Sequence, residues 1–259
     1  MAASELPSQG FGFSWVLPFG KDLLTKSVAP SFVFVDYATF SNTNVSHRLA
    51  KRMIDAYVSV NAPLWLLASV YGWDDARDKL ASDDDARGQA CAYVERALED
   101  AAAGGADALV LCDDLVGANG PVPDPLFIVE HVLPLYERFA AKAHELSLPI
   151  IYHAEGDIRE YYPYLAQEGF DAVHVAHPGY EQTEELVTAV RDAGMTPLGG
   201  LIGARVAKDG AGKLADFARR LVADGPLLVC DDGAVSDADE LSVVIEALAM
   251  VRDGISPSD

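Results

Sequence analysis

His153, Glu155 and Cys230 bring together an imidazole, a carboxylate and a thiol, each a competent ligand for zinc. His153 and Glu155 stand at i and i+2, where an apolar run gives way to Gly156, so both can leave a strand end towards one pocket. Cys230 arrives from the end of another such run. Three protein ligands with one open position is the pattern of a catalytic zinc. Spacing alone leaves the plainer alternative standing, a polar loop histidine and a cysteine that behaves as a small hydrophobe.

Other reactive side chains end runs of the same kind. They are Asp36-Tyr37, Cys112-Asp113-Asp114, His174-Val175-Ala176-His177 and Cys230-Asp231-Asp232. Asp113 and Asp114 are the carboxylates expected to take or return a proton. Asp36, Tyr71, His177 and Gly200 are the residues expected to line a substrate pocket. A single acid after a strand is more simply a helix N-cap, and Asp157 and Asp232 read that way. Five such ends together point to a shared rim. His174 lies inside a strand pattern and reads as a hydrogen-bonded core residue, whereas His47, His131 and His144 fall in helical segments. Tyr71, within LWLLASVYGW, is first a packing residue. Gly199-Gly200 permits close backbone approach, by a ligand or by a neighbouring loop.

The elements that must hold these groups alternate along the chain. Candidate strands are Phe13–Leu17, Phe32–Tyr37, Leu64–Ser69, Ala108–Cys112, Ile150–His153, Ala172–Ala176, Thr196–Gly200 and Leu227–Cys230. Most are apolar on both faces, as in strands buried in a parallel sheet. Between them, Leu49, Met53, Tyr57 and Val60 recur at helical spacing, and Asp124-Pro125 starts a helix through Ile128, Val132, Leu135 and Phe139. Asp157 with Glu160 resembles a capping box, and Ser236 caps a last helix that ends at Gly254. Eight strands with room for a helix after each predict a single (β/α)8 barrel over residues 1–259, with loose ends up to Gln9 and after Ile255. An open doubly wound sheet would want a glycine-rich phosphate loop, and neither G-x-G-x-x-G nor G-x-x-x-x-G-K-[ST] occurs.

Composition sets the outer limits. Nineteen Lys and Arg against forty Asp and Glu give a net charge of −21, which excludes a sequence-independent grip on nucleic acid or an anionic membrane. Half the 259 residues are hydrophobic, which excludes disorder. Three cysteines are too few and too scattered for a disulfide framework. The apolar stretches are far short of a spanning helix and the start lacks a secretory pattern, so the expectation is a cytoplasmic protein.

DALVLCDDLVG, then DPLFIVEHVLPLYERFAAKAHELSLPIIYHAEGD, then LAQEGFDAVHVAHP, followed by TPLGGL and LLVCDDG, come in an order of some specificity. Together they resemble the uroporphyrinogen decarboxylase superfamily, especially its cobalamin-dependent methyltransferase branch. The resemblance covers roughly residues 62–252. It implies a barrel fold and a zinc ion held by H-x-C plus a cysteine some seventy residues later. His153 falls on that histidine, Glu155 on the first cysteine and Cys230 on the second, with 74 residues between Glu155 and Cys230. It further implies a corrinoid (cobalamin) carried by a partner protein, and a small-molecule methyl donor or acceptor. Glu in place of Cys makes the site harder and turns the expectation from thiols towards O-methyl or N-methyl compounds. The decarboxylase itself is disfavoured, because the superfamily's arginine-rich M-R-Q-A-G-R type segment is missing and no arginine precedes Arg48. The other expectation kept is a metal-independent lyase or a small-metabolite-binding barrel.

Overall fold

The computed structural model describes residues 6, 9–13, 32–36, 64–71, 84–103, 108–113, 115–117, 120–121, 125–235 and 237–254. Its strands are β1 (Gln9–Phe13), β2 (Phe32–Asp36), β3 (Leu64–Tyr71), β4 (Ala108–Asp113), β5 (Val116–Gly117), β6 (Gly120–Pro121), β7 (Ile150–Glu155), β8 (Ala172–Ala176), β9 (Thr196–Leu201) and β10 (Leu227–Asp231). Strands β1, β10, β9, β8, β7, β4, β3 and β2 close, in that order, into a parallel barrel, while β5 and β6 form a small antiparallel hairpin. The ring is sealed by β1, which pairs Gln9 with Leu227 on one side and Gly12 with Phe32 on the other. The chain is therefore a (β/α)8 barrel.

The first strand falls on QGFGF rather than on the expected Phe13–Leu17. The two share only Phe13, and the rest of the expected strand lies outside the described residues, as does the helix expected through Leu49, Met53, Tyr57 and Val60.

Two-residue periodicity divides β4, β7, β8 and β10 between an inner and an outer face. Ala108, Val110, Ile151, Ala172, Leu198, Leu228 and Cys230 form the barrel interior, with Cys112 packed against them. Leu109, Leu111, Tyr152, Val173, Val175, Leu227 and Val229 face the surrounding helices. Those helices are α1 (Asp84–Ala103), α2 (Leu133–Glu145), α3 (Tyr162–Gln167), α4 (Tyr180–Asp192), α5 (Val206–Ala223) and α6 (Ala238–Gly254). Each large aliphatic side chain buried between the layers contributes about 1.5–3 kcal/mol. Among the described residues no helix is long and apolar enough to cross a membrane.

Three local features depart from the simplest sequence expectation. The helix after Pro125 begins with one α turn, Pro125–Phe127, widens to a π-helix over Ile128–Val132, and only then becomes α2. Pro134 sits in the first turn of α2. It offers no N–H, and in α geometry its ring would press on the carbonyl four residues back, so the wider turn accommodates it. Asp157 takes the Arg159 N–H at 3.2 Å and is gripped by the Arg159 guanidinium, and the segment opens as a 3-10 turn without a side-chain cap. The last helix is capped by Asp237, whose Oδ1 accepts the N–H groups of Asp239 and Glu240 at 3.0 and 2.9 Å. Ser236 lies outside the described residues.

Gly199 has φ +134, and a Cβ there would meet the Val175 carbonyl at 2.9 Å. Gly88, exposed in α1, has nothing within 4 Å of such a Cβ. Gly199→Ala is expected to lower stability by about 2–4 kcal/mol. Gly88→Ala should raise it by about 0.5–1 kcal/mol, the helix-propensity difference. Urea unfolding midpoints of the two variants measure both effects, and an unperturbed Gly199→Ala would refute the packing constraint at β9.

Candidate active site

In a parallel barrel the C-terminal strand ends form one rim. His153 lies near the end of β7, paired with Cys112 on β4 and with His174 on β8. Its ring is 4.8 Å from that of His174, inclined by 33°. Both residues are buried, His174 completely. Burial holds His153 well below the ordinary imidazole range, and the neighbouring His174 adds to the effect, against an opposing hydrogen bond to the His174 backbone. His174 is lowered by burial to about 4, opposed by its bond to the Asp231 backbone. Both rings are neutral near pH 7.

The His174 Nε2 lies 2.8 Å from the Asp231 carbonyl oxygen. A carbonyl only accepts, so Nε2 carries the proton of the neutral ring. That contact reaches from β8 past β9 to β10. The intervening strand carries Gly199 and Gly200, the latter paired with Cys230.

Cys230 is wholly buried in the interior cluster. Burial raises its thiol well above the usual range, and the carboxylates of Asp231 and Asp232 push the same way, against a backbone hydrogen bond at Gly199. The thiol therefore holds its proton unless a cation is brought to it.

The other expected site residues divide by position. Asp113 is buried, and its Oδ2 accepts the hydroxyl of Tyr136 from α2, so this carboxylate is engaged on the helix side of the sheet. The Tyr152 hydroxyl donates to the Asp113 carbonyl at 2.5 Å, and Phe170 stands 5.6 Å from both tyrosine rings. Burial, and after it the Asp113 charge, holds the Tyr136 hydroxyl well above its usual range. Asp114 lies outside the described residues. Asp36 and Tyr71 end β2 and β3, and Tyr71 pairs with Asp113 beyond an irregularity in the register. Glu155 ends β7, two positions after His153 and paired with Ala176. The side chains of Asp36, Tyr71 and Glu155 fall outside the described part.

His177 is half-buried, and its Nδ1 accepts the Gly179 N–H at 3.0 Å, within its own loop. Gly200 has φ +93, and a Cβ there would meet Leu227, Leu221 and Ala218 at 3.4–3.8 Å, towards α5. The close approach at the glycine pair is made by protein, the Val175 carbonyl against Gly199. Asp232 does not cap α6. Its Oδ1 accepts from Gly203 at 2.9 Å and Ala234 at 3.1 Å, tying the loop after β9 to the loop after β10.

His174 reads from the sequence as a core residue, and it is one, but its link to β10 was not foreseen. The signal lay in its parity. His174 alternates with Ala172 and Ala176 and so shares the inner face on which His153 and Cys230 fall. Among the described residues no three His, Cys, Asp or Glu side chains gather as a metal site, and the Glu155 side chain is not among them.

A family model described as uroporphyrinogen decarboxylase (URO-D) matches residues 47–202. No curated protein matches the sequence. Among solved structures, a D-psicose 3-epimerase crystallised with D-fructose is 12% identical, with a TM-score of 0.64 over 94% of this chain and 98% of that one. A methyltransferase from Methanosarcina mazei is 13% identical, with a TM-score of 0.57 over 85% of this chain and 69% of that one. Tryptophan synthase from M. tuberculosis is 14% identical, with a TM-score of 0.54 over 94% and 93%. At these identities the neighbours establish the barrel alone.

Two outcomes follow from this geometry. An unfolded histidine titrates near 6.5, so the unfolded chain binds more protons than the folded one between about pH 6.5 and 4. The metal-free chain, kept in chelator, should hold its full stability above pH ~6.5 and lose it as pH falls towards 4, by roughly 3 kcal/mol from His174 alone. Urea midpoints across that range measure the slope, and His174→Gln should flatten it. Tyr136→Phe removes a donor from a buried carboxylate and is expected to cost about 1–3 kcal/mol in the same assay.

Proposed function

Since this chain belongs to the uroporphyrinogen decarboxylase family, matched over residues 47–202, we propose that it is a zinc-dependent methyltransferase moving a methyl group between a corrinoid-carrying partner protein and a small substrate. The observation that carries this is the state of His153. A neutral imidazole bonded through one nitrogen to a backbone group keeps a lone pair on the other, which is the form that ligates a metal. Cys230 belongs to the same barrel interior, and Glu155 follows His153 by two residues on one strand.

His153, Glu155 and Cys230 would hold the zinc. When bound, it supplies Lewis acidity towards the donor atom of the substrate, while the partner's corrinoid carries the methyl group. The chain's own residues account for the rest. Cys230 must give up its proton on loading, because burial and the adjacent carboxylates keep the thiol protonated beforehand. Asp113 is held by Tyr136 and steadies the end of β4. Asp114, the next residue, is the carboxylate we assign to take or return the substrate's proton. Asp36, Tyr71, His177 and Gly200 belong to the same strand ends and are assigned to the surroundings of the substrate.

Carboxylate in place of the family's cysteine leaves the metal a harder acid, which favours oxygen or nitrogen methyl compounds over thiols. One observation favours a second reading, a metal-independent lyase or metabolite-binding barrel. Cys230 is fully buried among apolar side chains, as a structural cysteine would be.

Elemental analysis of untagged protein separates the two. One zinc per chain, falling sharply in Cys230→Ala while the circular dichroism spectrum is kept, is the expected result. Metal-free protein that still binds a small ligand would favour the second reading. With a corrinoid partner, transfer from an O-methyl donor is expected to exceed transfer to a thiol acceptor, and Glu155→Cys should shift that ratio towards the thiol. A thiol preference in the unmodified enzyme would refute the assignment of substrate class.

A further inference from the structure

His174 joins two strands that carry candidate zinc ligands. On one side its ring lies 4.8 Å from the His153 ring, and its backbone receives a hydrogen bond from His153. On the other, its Nε2–H donates at 2.8 Å to the carbonyl of Asp231, the residue after Cys230. The contact passes β9, which separates β8 from β10 and pairs Gly200 with Cys230. A larger residue at 199 would collide with β8 itself, at the Val175 carbonyl.

The contact is also costly to lose. His174 has no exposed surface, and a buried carbonyl deprived of its donor costs about 1–3 kcal/mol. Both partners are buried, so the bond ties β8 to β10 across β9, in addition to the ladders that each makes with that strand. Backbone and ring of residue 174 orient His153, and its nitrogen orients the main chain next to Cys230.

We propose that His174 is a positioning residue for the metal, a strut that holds the His153 ring and the Cys230 main chain in fixed relation. It does not ligate the ion or touch the substrate. This role rests on the zinc proposal above, and loss of such outer-shell partners typically weakens metal binding by about 10–100-fold.

Two variants separate the parts of the strut. His174→Gln keeps an amide N–H able to reach the Asp231 carbonyl, whereas His174→Leu keeps neither ring nor donor. Zinc affinity is read by competition with a chromophoric chelator, and site geometry by the visible spectrum of the cobalt(II)-substituted protein. His174→Leu is expected to lose about 10–100-fold in zinc affinity, with weakened and shifted cobalt bands. His174→Gln should recover most of both. A third readout needs no metal. In chelator, the main-chain amide signal of Cys230 should be single and sharp in the unmodified chain and broadened or doubled in His174→Leu, which removes the donor to the Asp231 carbonyl.

Wild-type protein that takes up no zinc, yet shows a broadened or doubled Cys230 amide signal in His174→Leu, would overturn the zinc reading and keep the strut. Zinc binding with affinity, cobalt spectrum and Cys230 amide signal all unchanged in His174→Leu would overturn the strut and keep the zinc reading. Should His174→Leu fail to fold, His174→Gln decides by the same three readouts against His174→Asn, whose shorter amide cannot span to β10. Equal behaviour of those two would overturn the proposal.

Discussion

Closure of the sheet by β1 is the constraint on which the other features depend. Its two short ladders, to Leu227 on β10 and to Phe32 on β2, turn an open parallel sheet into a ring. Once closed, the ring has an inside where ionised groups are costly and polar atoms are favoured when hydrogen-bonded. His153, His174 and Cys230 are subject to that rule together. Their lowered basicity and raised thiol affinity for protons share their largest cause, desolvation.

The same sheet keeps a second polar cluster on its outer side. There Asp113, Tyr136 and Tyr152 bond to one another beneath α2, against the Phe170 ring. The two clusters are separated by the thickness of one strand. Successive residues belong to different clusters: Cys112 packs on the interior and Asp113 bonds to the helix layer. The wall of the barrel is thus stiffened from outside by tyrosine hydroxyls and from inside by imidazoles.

Much of the barrel was legible because a buried parallel strand is apolar on both faces. Ala108–Asp113, Ile150–Glu155, Thr196–Leu201 and Leu227–Asp231 each extend the sequence expectation by only a residue or two, and Ala172–Ala176 matches it. The strand at Gln9–Phe13 was not legible, since glycines interrupt its apolar pattern and its ladder depends on both distant neighbours. For the site, the rim positions followed from the strand ends, but the direction of a side chain at a strand end did not. Asp113 and Asp232 look alike in sequence, each an acid beside another acid. One is claimed by a tyrosine 23 residues away and the other by loop amides up to 29 residues away. The inner position of His174 was readable from parity, whereas its bond to β10 depends on the barrel's circumference.

The π-helical turn at Ile128–Val132 has a consequence for how the connection after β4 can vary between related chains. A π turn holds, in effect, one residue more than the α turn it replaces. Removing a single residue there would restore α geometry and leave Pro125–Phe127 in phase with α2, because the extra residue is taken up within the wide turn. The connection can therefore lose one residue at this turn while the strand before it and α2 after it keep their places in the wall.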